Sequence, residues 1–385
     1  MIEDSCMKNI GNSQRIITPE KTLKLFSQKA CICGITRIAD ISSLDITCLP
    51  VATAIRPMAK TLQVSNGKGL TIEAAKVSAM MEGIELYHAE SNKGLEIHKR
   101  SIEQCKNDPA YYMPNNIMGI NGNTNWLPAT NYDREGSQDI FISEMNVLMF
   151  NSYIMNTSNG LASGNCYEEA VIHGIYELIE RDAIVQSRRS TKSIFMNLKT
   201  VKDSDARKYI ERIIETGSEI YCKRLMHSSG LYIFEVFLIN MSMPNQLTAI
   251  TKGYGCHQDI NVALLRGVTE AIQSRTTAIH ATREDVVKLK NIYKSHPTLD
   301  DSLMNTLEKM NQIKKNSFDT IENSVKEQQN IREIMESLLE VINKKMGRPC
   351  YVVNLYREEI GVPVVKCIIP EISGIDNLEE MRWNY

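Results

Sequence analysis

The sequence predicts a mixed α+β protein that contains three related units, each made of a strand, a glycine turn and an acidic helix. Two observations predict this fold class. First, when Gly69 is aligned with Gly164, the acidic positions that follow them match without a gap. The segment after Gly255 matches both when two extra residues are allowed after this glycine. Second, each turn lies between a β-prone apolar segment and a helix-length segment that lacks proline.

The elements of the three units follow in chain order. Their glycine turns are SNGKG, SNGLASG and KGYG. The strands before the turns are expected near residues 60–64, 145–155 and 231–252. The helices after them are expected over residues 72–90, 167–187 and 262–280.

Composition restricts the class of protein. The 385 residues are 43% hydrophobic, which is enough for a large core, and 44 basic residues nearly balance 46 acidic ones. No global charge therefore attracts nucleic acid or an anionic membrane. The polar start of the chain and the lack of a long apolar segment predict a cytoplasmic protein without a membrane span. Ten dispersed cysteines without Cys-x-x-Cys spacing predict reduced thiols, with Cys31 and Cys33 in a strand.

Paired acids recur on the three predicted helices. Residues three apart share a helix face, so each helix presents two oxygen-bearing side chains together. The pairs are Glu82 with Glu85, Glu177 with Glu180, and Glu270 with Gln273. Carboxylate oxygens are ligands that Mg²⁺ prefers, so converging helices could hold metal-bound ATP. Duplicated structural helices are the alternative, because Glu333 and Glu336 have the same spacing where a solvated helix face is expected.

The glycine turns are a second feature that could bind an anion such as phosphate. Glycines before a helix let backbone amides approach phosphate at the helix N-terminus. The segment GKGLT does not match a Walker loop, and no dinucleotide Gly-x-Gly-x-x-Gly fingerprint is present. Lys68 is therefore either a phosphate contact or a solvated loop lysine.

Several blocks together resemble the YcaO family. They include GITRIADISSLDITCLPVATAIRP, SNGKGLTIEAAKVSAMMEGIE, SNGLASGNCYEEAVIHGIYELIERDA, KGYGCHQDINVALLRGVTEAIQSR and VVNLYREEIGVPVVKCIIPE, in order from about residue 34 to 372. The resemblance implies a YcaO-like ATP-binding fold that uses ATP and Mg²⁺. It also implies that a peptide backbone amide is phosphorylated on its oxygen, so that a nucleophile can replace that oxygen.

The resemblance also assigns site residues. The implied metal ligands are Glu82, Glu85, Glu177, Glu180 and Glu270. The implied nucleotide contacts are Ser78, Asn165, Glu169, Arg181, Gln273, Arg275 and Arg283, and Lys68 joins them as the candidate phosphate contact of the first glycine turn. Two positions depart from the family pattern, because Leu86 stands for an arginine and Ala162 for a serine. Arg181 could instead pair with Asp182, and Arg275 and Arg283 could instead be solvated. No catalytic cysteine is assigned, because Cys166 and Cys256 are expected to be small packing residues.

The nucleophile divides members of the family. Sulfide gives thioamides, a neighbouring Cys, Ser or Thr side chain gives azolines, and an amine gives amidines. The N-terminal block and the ELYHAE end of the first helix resemble members that work with TfuA-type partners, and the chain ends EEMRWNY without a proline-rich tail. We therefore expect thioamide formation on a peptide or protein substrate, with a TfuA-like partner, a sulfide donor and a homodimeric state. Azoline formation and an ATP-binding scaffold without catalysis remain alternatives.

The domain organisation is expected to be simple. Residues 1–33 form a lead-in with a strand and a dimer contact, and residues 34–385 form the YcaO-like catalytic domain. A Lys- and Glu-rich helical elaboration occupies about 284–348. After it, CYVVNLYRE and VPVVKCIIPE are expected to return to the main sheet as two strands.

Overall fold

The computed structural model describes residues 8–10, 13–114, 122–133, 136–149, 157–189, 193–240, 242, 246–283, 286, 308, 310–321 and 330–372. Its strands are β1 (Lys8–Ile10), β2 (Ser13–Arg15), β3 (Arg37–Asp40), β4 (Val51–Ile55), β5 (Val64–Lys68), β6 (His98–Ser101), β7 (Tyr111–Tyr112), β8 (Asn123–Asp133), β9 (Gly136–Ser143), β10 (Leu161–Ser163), β11 (Ser193–Asn197), β12 (Glu219–Leu225), β13 (Tyr232–Ile239), β14 (Ile250–His257), β15 (Asn316–Ser317), β16 (Cys350–Asn354) and β17 (Val364–Ile368).

Its α-helices are α1 (Pro19–Ile32), α2 (Ile72–Ala89), α3 (Ile102–Cys105), α4 (Glu144–Val147), α5 (Tyr167–Arg189), α6 (Ser204–Glu215), α7 (Gln246–Ala249), α8 (Ile260–His280) and α9 (Ile331–Glu340). A π-helical segment, Val341–Met346, continues α9. Within these described ranges, no helix is both long enough and apolar enough to cross a membrane.

Three main sheets divide the strands. Their orders are β3-β4-β5, β14-β13-β12-β11-β15, and β10-β17-β16-β8-β9-β7 with β6 also on β8. Pairing is antiparallel throughout these sheets except between β7 and β9 and between β11 and β15. The mixed α+β class is therefore confirmed. The expected return of the last two strands is also confirmed, because β16 and β17 lie between β8 and β10.

A long helix follows an edge strand in each sheet. Strand β5 leads into α2, β10 into α5 and β14 into α8, and each of these strands ends its sheet order. The helices lie where the sequence predicts them, but the strands are displaced. The first begins at Val64, and the predicted strand at 231–252 is two strands, β13 and β14. Of the predicted strand at 145–155, the described part contains helix α4, and residues 150–156 lie outside the described residues. The relation between the three units stays a prediction.

The matched apolar positions of the three helices form the core. Ile84, Ile179 and Ile272 are at most 1% exposed, and burial of such a side chain stabilises the fold by about 1.5–3 kcal/mol. Ile84 packs with α1 and the three-stranded sheet, Ile179 with α9 and the seven-stranded sheet, and Ile272 with α6 and the five-stranded sheet. Each helix therefore has one apolar side, which leaves its acidic side for the centre of the molecule.

Two glycines of the turns also have a packing role that the sequence does not suggest. A Cβ atom on Gly67 would lie 2.1 Å from the backbone nitrogen of Ala79, and one on Gly253 would lie 2.1 Å from that of Ala271. Both glycines thus face the middle of the following helix, not its N-terminus. Their missing side chains let the edge strand and the helix touch, and the approach of these turns to phosphate stays a prediction.

The N-terminal lead-in consists mainly of a helix. Phe26 and Ala30 of α1 pack into the same core cluster as α2. Cys31 and Cys33 lie in this helix and at its C-cap, so their placement in a strand is wrong. The domain boundary at residue 33 and the helical elaboration stay predictions, since residues 287–307 and 322–329 lie outside the described residues.

Candidate nucleotide and metal site

Edge-strand amides hold one carboxylate of each acidic helix. The backbone nitrogen of Asn66 donates to Glu82 Oε2 at 3.2 Å, and that of Tyr254 donates to Glu270 Oε1 at 3.3 Å. In both pairs the donor and the acceptor are 16 residues apart. The backbone of Gly160, just before β10, likewise hydrogen-bonds the carboxylate of Glu177. The three helices are therefore placed with their acids at the sheet edges.

Side chains of α8 join the first unit to the third. Lys68 of β5 forms an ion pair with Glu270, and Gln273 Nε2 donates to the carbonyl oxygen of Asn66 at 2.7 Å. Asn66 Nδ2 in turn donates to Thr277 Oγ1 at 2.9 Å. Lys68 is thus part of the acidic cluster, and it is not a solvated loop lysine.

A serine joins the second unit to the first. Ser163 Oγ, at the end of β10, donates to Glu85 Oε1 at 2.5 Å. The family resemblance implies a serine at position 162, where this chain has alanine, and the Glu85 contact comes from the hydroxyl group one position later. Ser163 is not among the predicted site residues, although a serine directly after Ala162 could have indicated this contact.

Two arginines lie among the acids of α5 and α8. Arg181 Nη2 is 3.7 Å from Glu177 Oε1, and burial would lower the pKa of Arg181, but Glu177, Glu180 and Glu270 outweigh burial and raise it. Arg266 lies close enough to lower the pKa of both Glu180 and Glu270. The sequence analysis missed Arg266, which lies one helical turn before Glu270 and hence on the same face of α8.

Burial dominates the electrostatics of the carboxylates. It raises the pKa of Glu85 to about 8 and that of Glu180 to about 7, and neighbouring acids add to both shifts. The pKa values of Glu82 and Glu177 are raised for the same reason. Burial also acts to raise the pKa of Glu270, but Lys68, Arg181 and Arg266 outweigh it and hold the pKa low. Burial of the acids on α2 and α5 therefore outweighs the cations near them, so a bound cation would stabilise their charged forms.

The atoms of this cluster fit a metal-bound polyphosphate. Glu180 Oε2, Arg181 Nε and Arg266 Nε are buried and have no hydrogen-bond partner among the described residues. Unpaired oxygen suits a hard cation, and unpaired guanidinium N–H groups suit phosphate. No group of three or more His, Cys, Asp or Glu side chains in the described residues is arranged to hold a metal ion by itself. Mg²⁺ does not need such a cage, because it is usually held by one or two carboxylates, water and substrate phosphates.

Asn165 and Glu169 contact the lead-in. Glu169 is 1% exposed and accepts from the backbone nitrogens of Ile16 and Asn165, at 2.7 and 2.8 Å. The side chain of Asn165 also donates to Glu169 and accepts from Thr22 Oγ1. These two predicted nucleotide contacts are thus held by residues of the lead-in, Ile16 and Thr22.

The remaining predicted contacts have different surroundings. Ser78 lies on α2 one turn before Glu82, and Arg283 lies near enough to Glu82 to lower its pKa. Arg275 is 0% exposed, and its Nε and Nη2 atoms donate to Asp45 at 2.5 and 3.0 Å. Both the predicted phosphate contact and the solvated alternative are wrong for Arg275, because its guanidinium group is locked in a buried ion pair.

Fold and site together define a class of protein in which acidic helices from three sheets surround a site for a cation and phosphate. A family model described as YcaO cyclodehydratase, ATP- and Mg²⁺-binding, matches residues 66–373. The chain belongs to the YcaO family, whose ligands are ATP and Mg²⁺.

Relatives support this assignment over most of the chain. An uncharacterized protein of Methanothermobacter thermautotrophicus is 30% identical over 381 residues, which cover 94% of this chain and 96% of that protein. An uncharacterized protein in the tfuA 3′ region of Rhizobium leguminosarum bv. trifolii is 30% identical over 298 residues, 70% of this chain and 69% of that protein. The fold resembles that of YcaO from Methanopyrus kandleri bound with AMPPCP and Mg²⁺, with a TM-score of 0.74, 19% identity and coverage of 96% of this chain and 95% of that chain.

Proposed function

We propose that this protein uses ATP and Mg²⁺ to phosphorylate the oxygen of a peptide backbone amide, and that sulfide then replaces this oxygen to give a thioamide. One observation carries the proposal for the site. Glutamates from α2, α5 and α8 meet around buried polar atoms that lack partners among the described residues, with cationic side chains beside them.

We assign Mg²⁺ to the five glutamates of this cluster, which are Glu82, Glu85, Glu177, Glu180 and Glu270. We assign the nucleotide to Lys68, Ser78, Asn165, Glu169, Arg181, Arg266, Gln273 and Arg283. Bound Mg²⁺-ATP supplies a transferable phosphoryl group that turns a poor leaving group, the amide oxygen, into a good one.

The protein's own side chains orient and neutralise the reactants. Lys68 pairs with Glu270 from β5, and its remaining N–H donors would contact phosphate oxygens of the bound nucleotide. Arg181 and Arg266 offset negative charge in a buried setting, where such interactions are stronger than in water. Sulfide needs no covalent nucleophile from the chain, and the described cysteines near the turns, Cys166 and Cys256, have thiols whose pKa burial raises.

Two findings bear on the choice of nucleophile. A relative is encoded in a tfuA 3′ region, which supports a TfuA-like partner and a sulfide donor. The family description names cyclodehydratases, which supports azoline formation as the second candidate. The complete set of glutamates argues against a scaffold without catalysis. A homodimer and a cytoplasmic location complete the proposal.

Mass spectrometry separates the two candidate reactions. The protein is incubated with ATP, Mg²⁺, sulfide and candidate peptides, with and without a TfuA-like protein. Thioamide formation exchanges oxygen for sulfur and raises the peptide mass, whereas cyclodehydration removes one water and lowers it. Azoline products without any sulfur gain would reject thioamidation, and the absence of ATP turnover with every peptide would favour the scaffold.

Substitution of the glutamates tests the site itself. Glu177→Gln and Glu180→Gln should each weaken Mg²⁺-dependent binding of an ATP analogue by about 10- to 100-fold, because the amide oxygen is a poorer ligand for a hard cation. Glu336→Gln is the matched control, since it removes one exposed acid from a Glu-x-x-Glu pair on α9. Affinity equal to that of the control would reject the ligand assignment.

A further inference from the structure

A charged row crosses the five-stranded sheet beside the candidate site. Cross-strand register places Lys223 of β12 opposite Glu235 of β13, and Glu235 opposite Tyr254 of β14. Lys252 lies two residues before Tyr254 and therefore on the same face of the sheet. The sequence analysis and the proposed function leave these side chains without a role.

Two ammonium groups share one carboxylate in this row. Lys223 Nζ is 3.5 Å from Glu235 Oε2, Lys252 Nζ is 3.4 Å from Glu235 Oε1, and the Tyr254 hydroxyl donates to Glu235 Oε1 at 3.1 Å. The side chain of Glu235 is 9% exposed, whereas those of Lys223 and Lys252 are 19% and 25% exposed. The carboxylate therefore lies at the bottom of the row, and both lysines remain accessible from solvent.

Two cationic groups and one carboxylate of the described residues act on the charge of Lys252. Burial lowers the pKa of Lys252, Glu235 opposes that shift, and Lys223 and Arg188 add to it. An ammonium group donates three hydrogen bonds, so Lys223 can bind a further carboxylate without displacing Glu235.

Tyr254 connects this row to the candidate site. Its backbone nitrogen donates to Glu270 and its hydroxyl to Glu235, so one residue separates the acidic cluster from the lysines. Arg188 approaches from α5, two helical turns beyond Arg181 and on the same side of that helix. A ligand at the lysines would therefore lie next to the phosphate region.

We propose that Lys223, Lys252 and Arg188 form a subsite for an acidic side chain of the peptide substrate, close to the amide that is modified. This inference rests on the proposed function, because it assigns the substrate class of the same site. It identifies an acidic peptide, with its carboxylate on the lysines.

The presence of Glu235 favours a peptide over a small free anion. A carboxylate in the same network repels a small anion, whereas a peptide can offset this repulsion with contacts that its other residues make.

Peptide binding tests this subsite without requiring turnover. Two pools of fluorescein-labelled octapeptide amides, random except for a central Asp or Asn, are titrated into the protein with Mg²⁺ and a non-hydrolysable ATP analogue. We expect the Asp pool to bind about fivefold more tightly than the Asn pool, in line with an accessible ion pair. Lys252→Gln and Lys223→Gln should each reduce this ratio, and Lys208→Gln, an exposed lysine on α6, should keep it.

The outcomes separate this subsite from the proposed function. Equal binding of both pools by the wild-type protein, or a ratio that survives both lysine substitutions, would overturn the subsite. Displacement of the Asp pool by inorganic sulfate as readily as by acetyl-aspartate amide would show a free-anion site and would also overturn it. Failure of the wild-type protein to bind the ATP analogue would instead reject the proposed function.

Discussion

Two residues of α8 that are two positions apart, Gln273 and Arg275, have different surroundings. Gln273 reaches Asn66 at the candidate site, whereas Arg275 is buried against Asp45 and Ser218. Two positions along a helix turn a side chain by about 200°, so the two residues point to different sides of α8. An arginine in a helix therefore does not by itself indicate a phosphate contact, because the side of the helix on which it lies decides what it touches.

Arg275 should be a residue for stability and not for nucleotide binding. Arg275→Met leaves the buried carboxylate of Asp45 without its cation, and we expect the free energy of unfolding to fall by about 3–5 kcal/mol. Urea unfolding measures this loss. The double variant Arg275→Met with Asp45→Leu should recover part of it, because the unpaired charge is gone. A loss of ATP-analogue affinity without a loss of stability would contradict this assignment.

At the scale of elements, the edge strand of the first unit packs closely against the helix that follows it, and the same holds in the third unit. The pairs are β5 with α2 and β14 with α8. Gly67 touches the backbone of α2 near Ala75 and Ala79, and Gly253 touches that of α8 near Gly267 and Ala271. The carboxylates lie beyond these contacts on the same helices. The distance between strand and helix therefore decides whether the backbone of Asn66 can reach Glu82.

A methyl group at Gly67 should separate β5 from α2. We expect Gly67→Ala to lower the free energy of unfolding by about 3 kcal/mol, because its Cβ atom would meet helix backbone that cannot move aside. Gly83→Ala on α2 is the control, since the nearest atoms to its Cβ atom would belong to the side chains of Ile35 and Arg56, at 3.0 Å or more. Chemical denaturation measures both variants, and equal losses would refute the importance of backbone contact.

At the scale of the whole molecule, the site is the place where three sheets meet. Each helix packs its apolar side into a different core cluster and directs its acids to a shared centre. Mutual repulsion and burial of these acids oppose folding unless protons or cations neutralise them. The stability of the metal-free protein should therefore depend on pH through this centre.

Raising the pH should destabilise the metal-free protein. The pKa of Glu85 is about 8 in the folded protein against an ordinary value of 4.5, so the folded state binds this proton more tightly than the unfolded state. Its contribution to stability is complete below 4.5 and is lost as the pH rises towards about 8. Urea unfolding across this range should show the decline, and Glu85→Gln should flatten it. A decline that Glu85→Gln leaves unchanged would point to other groups.

Much of this architecture could be predicted from the sequence, and the exceptions have physical causes. Helix α2 lies within one residue of its predicted end, because an 18-residue segment without proline is a strong helix signal. Strand β10 has three residues, and β5 contains polar Ser65, Asn66 and Lys68, so neither shows the apolar pattern of a strand.

The candidate site shows the same limit. Its glutamates recur at matched spacings along the chain, which makes them visible in the sequence. Ser163 and Arg266 contact these acids through the packing of separate elements, and the lead-in reaches Glu169 from residues 15 and 16. Such contacts depend on tertiary structure, which spacing in one sequence does not reveal.

The hydrogen bonds between edge strands and glutamates have a consequence for aggregation. An unpaired strand edge can template the addition of a strand from another molecule. Near the middle of this protein, amides along three such edges already donate to carboxylates, through Asn66, Gly160 and Tyr254. An incoming β-strand would therefore meet occupied donors and negative charge. We therefore expect the acids assigned to Mg²⁺ to disfavour intermolecular sheet growth at these edges as well.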